Sequence, residues 1–359
     1  MTIFIPYNSA GSSGPAIFVA ALSVYFKSRG YKVTHRFSPS FDILIVIAEC
    51  SLFLSLYAKL TGKRIVQRLD GVYHPGLPGA TKYTYPLKNL RMQIIHNYLA
   101  DHVIYQSQFA KHSCQILLGK RAKTTSIIYN GVAVAFSNSN AETTGGAVER
   151  LPARGTLSTK CDCGRRAGMV PRRQDLSPLL QLTTFASFRR LDQIKPILES
   201  VKHLTTPYHL HIYGPHTNNL SQLFSSLKNN SNVTYNGPKS HQELLARLPK
   251  HDIFLFSDQS ACPNAVLEAL AAGLPVVAFN RGSIPELIEP GLSGEVVGLP
   301  PHDPFRDPYP FTQQSLHQFS QAITTMANNL PHYKTGARQH AKRKYNITNT
   351  FKQYEKILT

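Results

Sequence analysis

The feature that most constrains this chain is an alternation of short, strongly apolar runs with stretches of helical spacing, which occurs twice along its 359 residues. Residues 43–48 (ILIVIA) and 276–279 (VVAF) are the clearest runs, strand-sized and apolar at successive positions, as in strands covered on both faces. In the first half the pattern predicts strands over 2–6, 31–35, 42–48, 63–69, 101–105 and 126–129, with helices over 16–28, 51–61, 85–100 and 108–118. Gly30 and Gly62 close two of those helices. In the second half it predicts strands over 179–185, 208–213, 233–235, 253–256 and 276–279, again separated by helices. Strands joined through helices run parallel, so the expected fold class is α/β: two Rossmann-like domains facing a central cleft, with ligands at the carboxyl ends of the strands. Residues 313–328 and 332–358 read as helices, the last of them partly amphipathic and expected to pack against a domain.

Between the halves the pattern stops. Residues 133–177 carry Ser, Asn, Thr, Gly and Arg with neither period, which predicts a linker or disordered insertion; the abrupt change also fits a degenerate or frame-altered segment. The expected division is therefore 1–132 as the first Rossmann-like domain, 133–177 as linker, 178–330 as the second domain, and 331–359 as a helix crossing back onto the first.

Composition narrows the partners. The formal charge of +19 favours anionic ones, namely nucleotide phosphates, an acidic membrane surface or nucleic acid, without choosing among them. No apolar run reaches the ~18 residues of a spanning helix, and the first residues lack the basic and apolar regions of a signal peptide, so a cytoplasmic protein is expected. Five scattered cysteines argue against a disulfide framework. Cys161 and Cys163 have no partner spacing for a zinc set, and no metal is expected.

The stretch 258–286 (DQSACPNAVLEALAAGLPVVAFNRGSIPE) says most about chemistry. Asn264 is placed to cap the helix that follows, Gly273 ends that helix, and Glu268 is its one charged residue, one turn from the positive end. A carboxylate there can accept from sugar hydroxyls, while free N–H groups at a helix start can hold phosphate; the plainer reading is that Glu268 only complements the helix dipole. Gly11 to Gly14 form a glycine loop between the first strand and helix, a weak anion-site signal because it is not GxGxxG. Asp70 and His74 follow the end of the strand 63–69, where a sheet of this kind places ligands, although Asp-Gly is also an ordinary turn.

Together these segments resemble the family-4 glycosyltransferases of the GT-B fold. The similarity is strongest in VTYNGPKSHQELLARLPKHDIFLFS and ACPNAVLEALAAGLPVVAFNRGSIPELI, extends to ADHVIYQSQFAKHS and IIYNGV, and includes RLDG and the glycine loop. It implies retaining glycosyl transfer from a nucleoside-diphosphate sugar (UDP- or GDP-linked) to an acceptor hydroxyl on a glycan or a lipid-linked or cell-surface polysaccharide precursor. The first domain would bind acceptor and the second donor, with no cofactor required and no nucleic acid as partner. A peripheral contact with anionic membrane fits the charge. Two glutamates eight positions apart flank the donor in this family. The second falls on Glu268, implying ribose contacts; the first falls on Ser260, a departure that puts sugar recognition and activity in question, with Asp258 as a neighbouring substitute. The family's basic diphosphate clamp maps onto Arg189 with Arg190 beside it. Asn264, Ala265, Gly214, Gly11 and Gly14 complete the implied donor contacts, and Asp70 and His74 would face the reacting sugar. Three other readings stand beside this one: a sugar-nucleotide epimerase on the same fold, a non-catalytic sugar-nucleotide or glycan binder, and a nucleic-acid binder suggested by charge alone.

Overall fold

A computed structural model describes residues 1–7, 14–72, 84–121, 124–133, 179–307 and 309–359. The linker expectation for 133–177 therefore falls almost wholly outside the described residues, as do Gly11 and His74.

The first domain is a six-stranded parallel sheet ordered β2-β1-β3-β4-β5-β6. Its strands are β1 (Thr2–Phe4), β2 (Lys32–Thr34), β3 (Ile43–Ile47), β4 (Arg64–Leu69), β5 (His102–Tyr105) and β6 (Thr125–Ile127). All five residues of β3 are buried, which is why that run lacks polar alternation. Helix α1 (Gly14–Ser28) carries the chain from β1 to β2. Helices α2 (Leu52–Leu60), α3 (Thr84–Ile94) and α4 (Gln108–Leu118) make the successive crossovers from β3 to β6. Because such crossovers are right-handed, these three lie side by side on the face opposite α1. The packing agrees: Met92, Ile95, Ala110 and Cys114 share a core with Leu44, Val46 and Ile65, whereas Phe18, Val19 and Leu22 of α1 share another with Ile43, Ile45 and Val66.

The second domain repeats the plan, with sheet order β12-β11-β10-β7-β8-β9. It comprises β7 (Leu180–Phe185), α5 (Lys195–Val201), β8 (Tyr208–Tyr213), α6 (Ser221–Ser226), β9 (Val233–Tyr235), α7 (His241–Arg247), β10 (Ile253–Phe256), α8 (Asn264–Ala272), β11 (Val276–Phe279), α9 (Ile284–Leu287) and β12 (Gly294–Val297). The edge strand β12 was not expected from the sequence. It is short, and its first residue is a glycine because a Cβ there would lie 2.1 Å from the Val276 carbonyl oxygen. Strand order reverses between β1 and β3 in one sheet and between β7 and β10 in the other, and these switch points are where open α/β sheets bind ligands.

Three helices end the chain: α10 (Gln313–Asn328), α11 (Leu330–Lys344) and α12 (Ile347–Leu358). The single helix expected over 332–358 is two, broken at Tyr345 and Asn346. Tyr345 is fully buried and donates its hydroxyl to the Leu287 carbonyl at 3.1 Å, while the Asn346 side chain caps α12 by accepting from the Thr348 N–H at 2.9 Å. At this break the chain pairs with Val132, whose N–H donates to the Tyr345 carbonyl at 2.8 Å, and α12 returns to the first domain. There Phe351, Tyr354 and Leu358 bury against α1, with the Phe18 and Tyr354 rings 5.4 Å apart. At about 1.5–3 kcal/mol per buried large apolar side chain, this contact fastens the second domain's tail to the first.

Candidate functional site

The cleft is built from the carboxyl ends of β4, β7 and β10 and from the N-termini of α1 and α8. Helix α8 starts differently from the sequence expectation. Its N-cap is Pro263, with φ −68° and ψ 116°, and no side chain caps it; Asn264 is the first helical residue. The reason is a competing partner. Asn130, just beyond β6 in the first domain, donates its amide Nδ2 to the Asn264 Oδ1 at 2.9 Å and to the Cys262 carbonyl at 3.1 Å, so the Asn264 oxygen is occupied. The N–H groups of Asn264 and Ala265 are left without a carbonyl acceptor among the described residues, at the positive end of a nine-residue helix. Gly14, first residue of α1, abuts the same spot: a Cβ there would lie 3.6 Å from the Asn264 amide nitrogen.

A cavity of about 260 Å³ lies at this junction, lined by Gly14, Arg68, Asp70, Gln106, Asn130, Ser260 and Asn264 among others. Arg68 is buried beneath it, donating Nη2 to the Asn130 Oδ1 at 2.9 Å and stacking over the Phe18 ring at 3.9 Å. Its Nε has no partner among the described residues. Arg68 and Asn130 lie in the RLDG and IIYNGV segments but were not among the site residues expected from the sequence; the usable signal was their place at the ends of β4 and β6, where this fold collects ligand contacts. A second cavity of about 310 Å³ adjoins, lined by Met92, Phe109, Ser113, Gln259 and Phe305 with Gly71 and Val72. Asp70, Ser260 and Ala261 line both cavities and so mark their junction.

On the second-domain side, Glu268 projects from α8 with its side chain 13% exposed and accepts from the His241 Nε2 at 2.9 Å. Burial raises its pKa above the ordinary carboxylate value, and the hydrogen bond from His241 opposes that rise. Arg190, by contrast, is committed to the protein. It pairs with Asp258 at 2.6 Å and with Asp192 at 2.9 Å, and Asp192 also receives the buried Arg281 at 2.9 Å. Burial works against the Arg190 charge, but the two carboxylates more than offset it and leave its pKa raised. Asp258 receives in addition the Gln193 amide at 2.9 Å, so it does not supply the acid missing at Ser260. The Ser260 backbone is itself pinned, its carbonyl accepting from the Ser283 N–H at 3.0 Å and hydroxyl at 3.1 Å. Gly282, at φ +57°, passes so close that a Cβ would sit 2.4 Å from that carbonyl oxygen.

Arg189 is exposed at the end of β7 and its guanidinium has no partner among the described residues. Gly214 ends β8 at φ +122°, where a Cβ would lie 1.9 Å from the Ala186 carbonyl oxygen; only glycine permits that approach of the β7 and β8 ends. The sequence candidates Gly14, Asp70, Ser260 and Asn264 thus line one cavity, Ala265 and Glu268 continue along α8, and Arg189 and Gly214 occupy neighbouring strand ends. The domains are held across the cleft by Glu286, which sequence reasoning also missed. Its carboxylate accepts the N–H groups of Gln108 and Phe109 at 2.7 Å each, at the start of α4, and the Tyr129 hydroxyl at 2.9 Å.

Residues 180–307 match the sequence model of the family described as "Glycosyl transferases group 1", a span that takes in β7 through β12. Over that span the second domain is similar to the group 1 glycosyl transferases. Among curated proteins, a putative colanic acid biosynthesis glycosyltransferase, WcaL of Salmonella typhimurium, is 34% identical over 91 residues, 23% of this chain and 22% of that protein. An amylovoran biosynthesis glycosyltransferase, AmsK of Erwinia amylovora, is 42% identical over 65 residues, 16% of each chain. The matched segments thus span about a fifth of those relatives' lengths. Solved structures match over the whole length. Anabaena Alr3699/HepE in complex with UDP and glucose superposes with TM-score 0.67 at 14% identity, covering 100% of this chain and 99% of that one. The lipopolysaccharide outer core galactosyltransferase WaaB superposes with TM-score 0.62 at 16% identity, covering 99% and 98%. The two-domain architecture is GT-B, and the resemblance to family-4 glycosyltransferases read from the sequence is borne out.

Proposed function

We propose that this chain transfers a sugar, with retention, from a nucleoside-diphosphate sugar to a hydroxyl of a glycan or lipid-linked polysaccharide precursor. The observation that carries this reading is the cavity where the N-termini of α1 and α8 meet between the domains, with Glu268 further along α8. Two helix starts supply backbone donors and positive potential for a diphosphate, and Arg189 supplies an exposed guanidinium just beyond the neighbouring strand end. Glu268 accepts from the ribose hydroxyls. Negative charge builds on the leaving diphosphate while the sugar becomes cationic, so donors preorganised on the diphosphate lower the barrier. Asp70, at the junction of the two cavities, faces the reacting sugar, and the second cavity receives the acceptor. HepE, of the same fold, is described with UDP and glucose bound, and WcaL and AmsK are named for polysaccharide biosynthesis, which supports a sugar-nucleotide donor and a polysaccharide product here.

A second reading rests on Ser260. With its backbone pinned and Asp258 tied to Arg190 and Gln193, no carboxylate among the described residues takes the place of the first family glutamate, which favours a sugar-nucleotide binder without turnover. A thermal-shift screen against UDP- and GDP-sugars, followed by donor consumption with and without polysaccharide-precursor acceptors, separates the cases. Transferase activity requires a stabilising donor and acceptor-dependent release of nucleoside diphosphate. Stabilisation without release indicates the binder, acceptor-free isomerisation of the sugar indicates an epimerase, and no stabilisation by any sugar nucleotide refutes the donor site.

A further inference from the structure

One carboxylate of the second domain is short of donors. Asp192, Asp258 and Glu286 each accept from two or more protein groups. Glu268, the one charged residue of α8, has its side chain 13% exposed and accepts, among the described residues, from the His241 Nε2 alone, at 2.9 Å on Oε1. Its Oε2 has no donor among them. A carboxylate taken out of water needs such donors, and the one still lacking is a place for a ligand hydroxyl.

His241 is placed by its own helix rather than by Glu268. It is the first residue of α7, whose N-cap Ser240 accepts from the Glu243 N–H at 3.3 Å while the Glu243 carboxylate accepts from the Ser240 N–H at 3.0 Å. Just past the other end of α7, Leu248 is buried in one core with Val266, Leu267 and Leu270, which fixes α7 against α8. The imidazole therefore reaches Glu268 from a held position, 45% exposed. An ionised carboxylate only accepts, so Nε2 carries the hydrogen of this pair. Among the described residues no other charge shares the task. Strands β10 and β11, packed beneath α8, carry no titratable residue. From α11, Arg338 reaches α8 at its far end, against Gly273, and Lys334 is held by Asp252 at 2.7 Å. Arg247 and Lys250, at the end of α7 and just beyond it, act on Tyr213 and His251. Burial raises the Glu268 pKa, and His241 is the group that opposes the rise.

We infer that His241 is a positioning residue for Glu268: its Nε2–H fixes one carboxylate oxygen so that the other, Oε2, is presented to the ribose diol of the donor nucleotide; this rests on the donor reading above. His241 acts in two ways. By holding Oε1 it stills a flexible side chain that the ribose would otherwise have to order on binding. By opposing the effect of burial it keeps the carboxylate ionised, and the ionised form accepts from both hydroxyls of a cis diol. Its removal therefore weakens recognition of the ribose and leaves the diphosphate contacts at the start of α8 as they are.

The test is isothermal titration of the full chain with UDP and 2′-deoxy-UDP, and with GDP and 2′-deoxy-GDP, at pH 8 and pH 6, for wild type, His241→Ala and His241→Gln. The His241 side chain is exposed, so the three proteins are expected to melt alike. His241→Ala is expected to bind the preferred ribonucleotide about tenfold more weakly at pH 6 and by a smaller factor at pH 8, because the unassisted Glu268 carboxylate takes up a proton as pH falls. The deoxynucleotide, which has no diol, is expected to lose no more than about twofold. Gln offers an N–H in place of Nε2 and is expected to restore affinity to within about threefold of wild type at both pH values. In a Glu268→Gln background, His241→Ala is expected to change affinity by less than about twofold. Equal ribonucleotide affinity of wild type and His241→Ala at both pH values overturns the inference. So does an equal loss for ribonucleotide and deoxynucleotide, which makes His241 a general support of the fold. Both of those outcomes leave the donor reading standing, whereas a wild type that binds no nucleotide refutes that reading and this inference with it.

Discussion

Replacing Glu286 with alanine removes the carboxylate that joins the second domain to the start of α4. In the native contact it accepts two backbone N–H groups at 2.7 Å and the Tyr129 hydroxyl at 2.9 Å. Ser107, the N-cap of α4, satisfies only the Ala110 N–H, so without Glu286 the first two N–H groups of the helix have no protein acceptor. A hydrogen bond to a charged group contributes about 1.5–3 kcal/mol when buried. Glu286 is half-buried and water can replace it, so about 1 kcal/mol per N–H is the better figure, with a further ~0.5 kcal/mol from the helix dipole. The expected destabilisation is about 2–3 kcal/mol. Unfolding entropy near ~2.1 cal/mol/K per residue, over 359 residues, converts this to a fall in Tm of about 3–4 °C. Glu286→Gln keeps one strong acceptor and should lose about half as much. Differential scanning calorimetry of both variants measures the effect. A Glu286→Ala protein that melts within about 1 °C of wild type would refute the assignment of this carboxylate as the bond between the domains.

Three further outcomes follow from the same geometry. Gly282→Ala places a Cβ 2.4 Å from the Ser260 oxygen at φ +57°, so the loop carrying Ser260 must move; we expect a cost of about 2 kcal/mol or more in urea unfolding and roughly tenfold weaker sugar-nucleotide binding, and an unaltered affinity contradicts the placement of Ser260 in the donor cavity. His251 and His340 are buried, and burial pushes both pKa values from 6.5 down to about 4. Because the folded pKa lies below the unfolded one, the unfolded chain binds protons first: stability is complete above pH 6.5 and falls as pH drops toward 4, by about 1–2 kcal/mol per histidine at pH 5, so a Tm unchanged between pH 7.5 and pH 5 argues against both burials. Asn130→Ala frees the Asn264 Oδ1 and removes a first-domain partner of Arg68, with an expected loss of about 1–2 kcal/mol and of sugar-nucleotide affinity together; loss of stability alone would make Asn130 purely structural.

Much of this was legible in the sequence because the governing signals are local. Runs such as ILIVI and VVAF are apolar at every position because both faces are covered, and together with the helical stretches between successive strands they specified parallel sheets with helices on either side. Glycines marked real stops: Gly273 ends α8 in the left-handed conformation with φ 79°. What the sequence did not show depends on distant partners. Asn264 has the chemistry of an N-cap, but Asn130 claims its oxygen from the other domain. Arg190 sits where a phosphate ligand was expected, but Asp258 arrives from 68 positions away and holds it. Glu286 carries no local sign of its role, because its partners are the backbone N–H groups of α4 in the other domain. Strand β12 was missed because its few residues carry a glycine and a glutamate, and pairing with β11 rather than propensity makes it a strand.

The central claim is that Glu268, on the helix whose free N–H groups border the interdomain cavity, holds the ribose of a sugar nucleotide. Isothermal titration of wild type and Glu268→Gln with UDP- and GDP-sugars tests it most directly. The variant replaces a carboxylate by an amide of the same shape, and its His241 partner is exposed enough for the fold to tolerate the change. Wild type is expected to bind one of these nucleotides saturably and the variant at least about tenfold more weakly, a loss of ~1.4 kcal/mol, at unchanged Tm. Equal affinities in the two proteins, or no binding of either nucleotide to wild type, would contradict the claim.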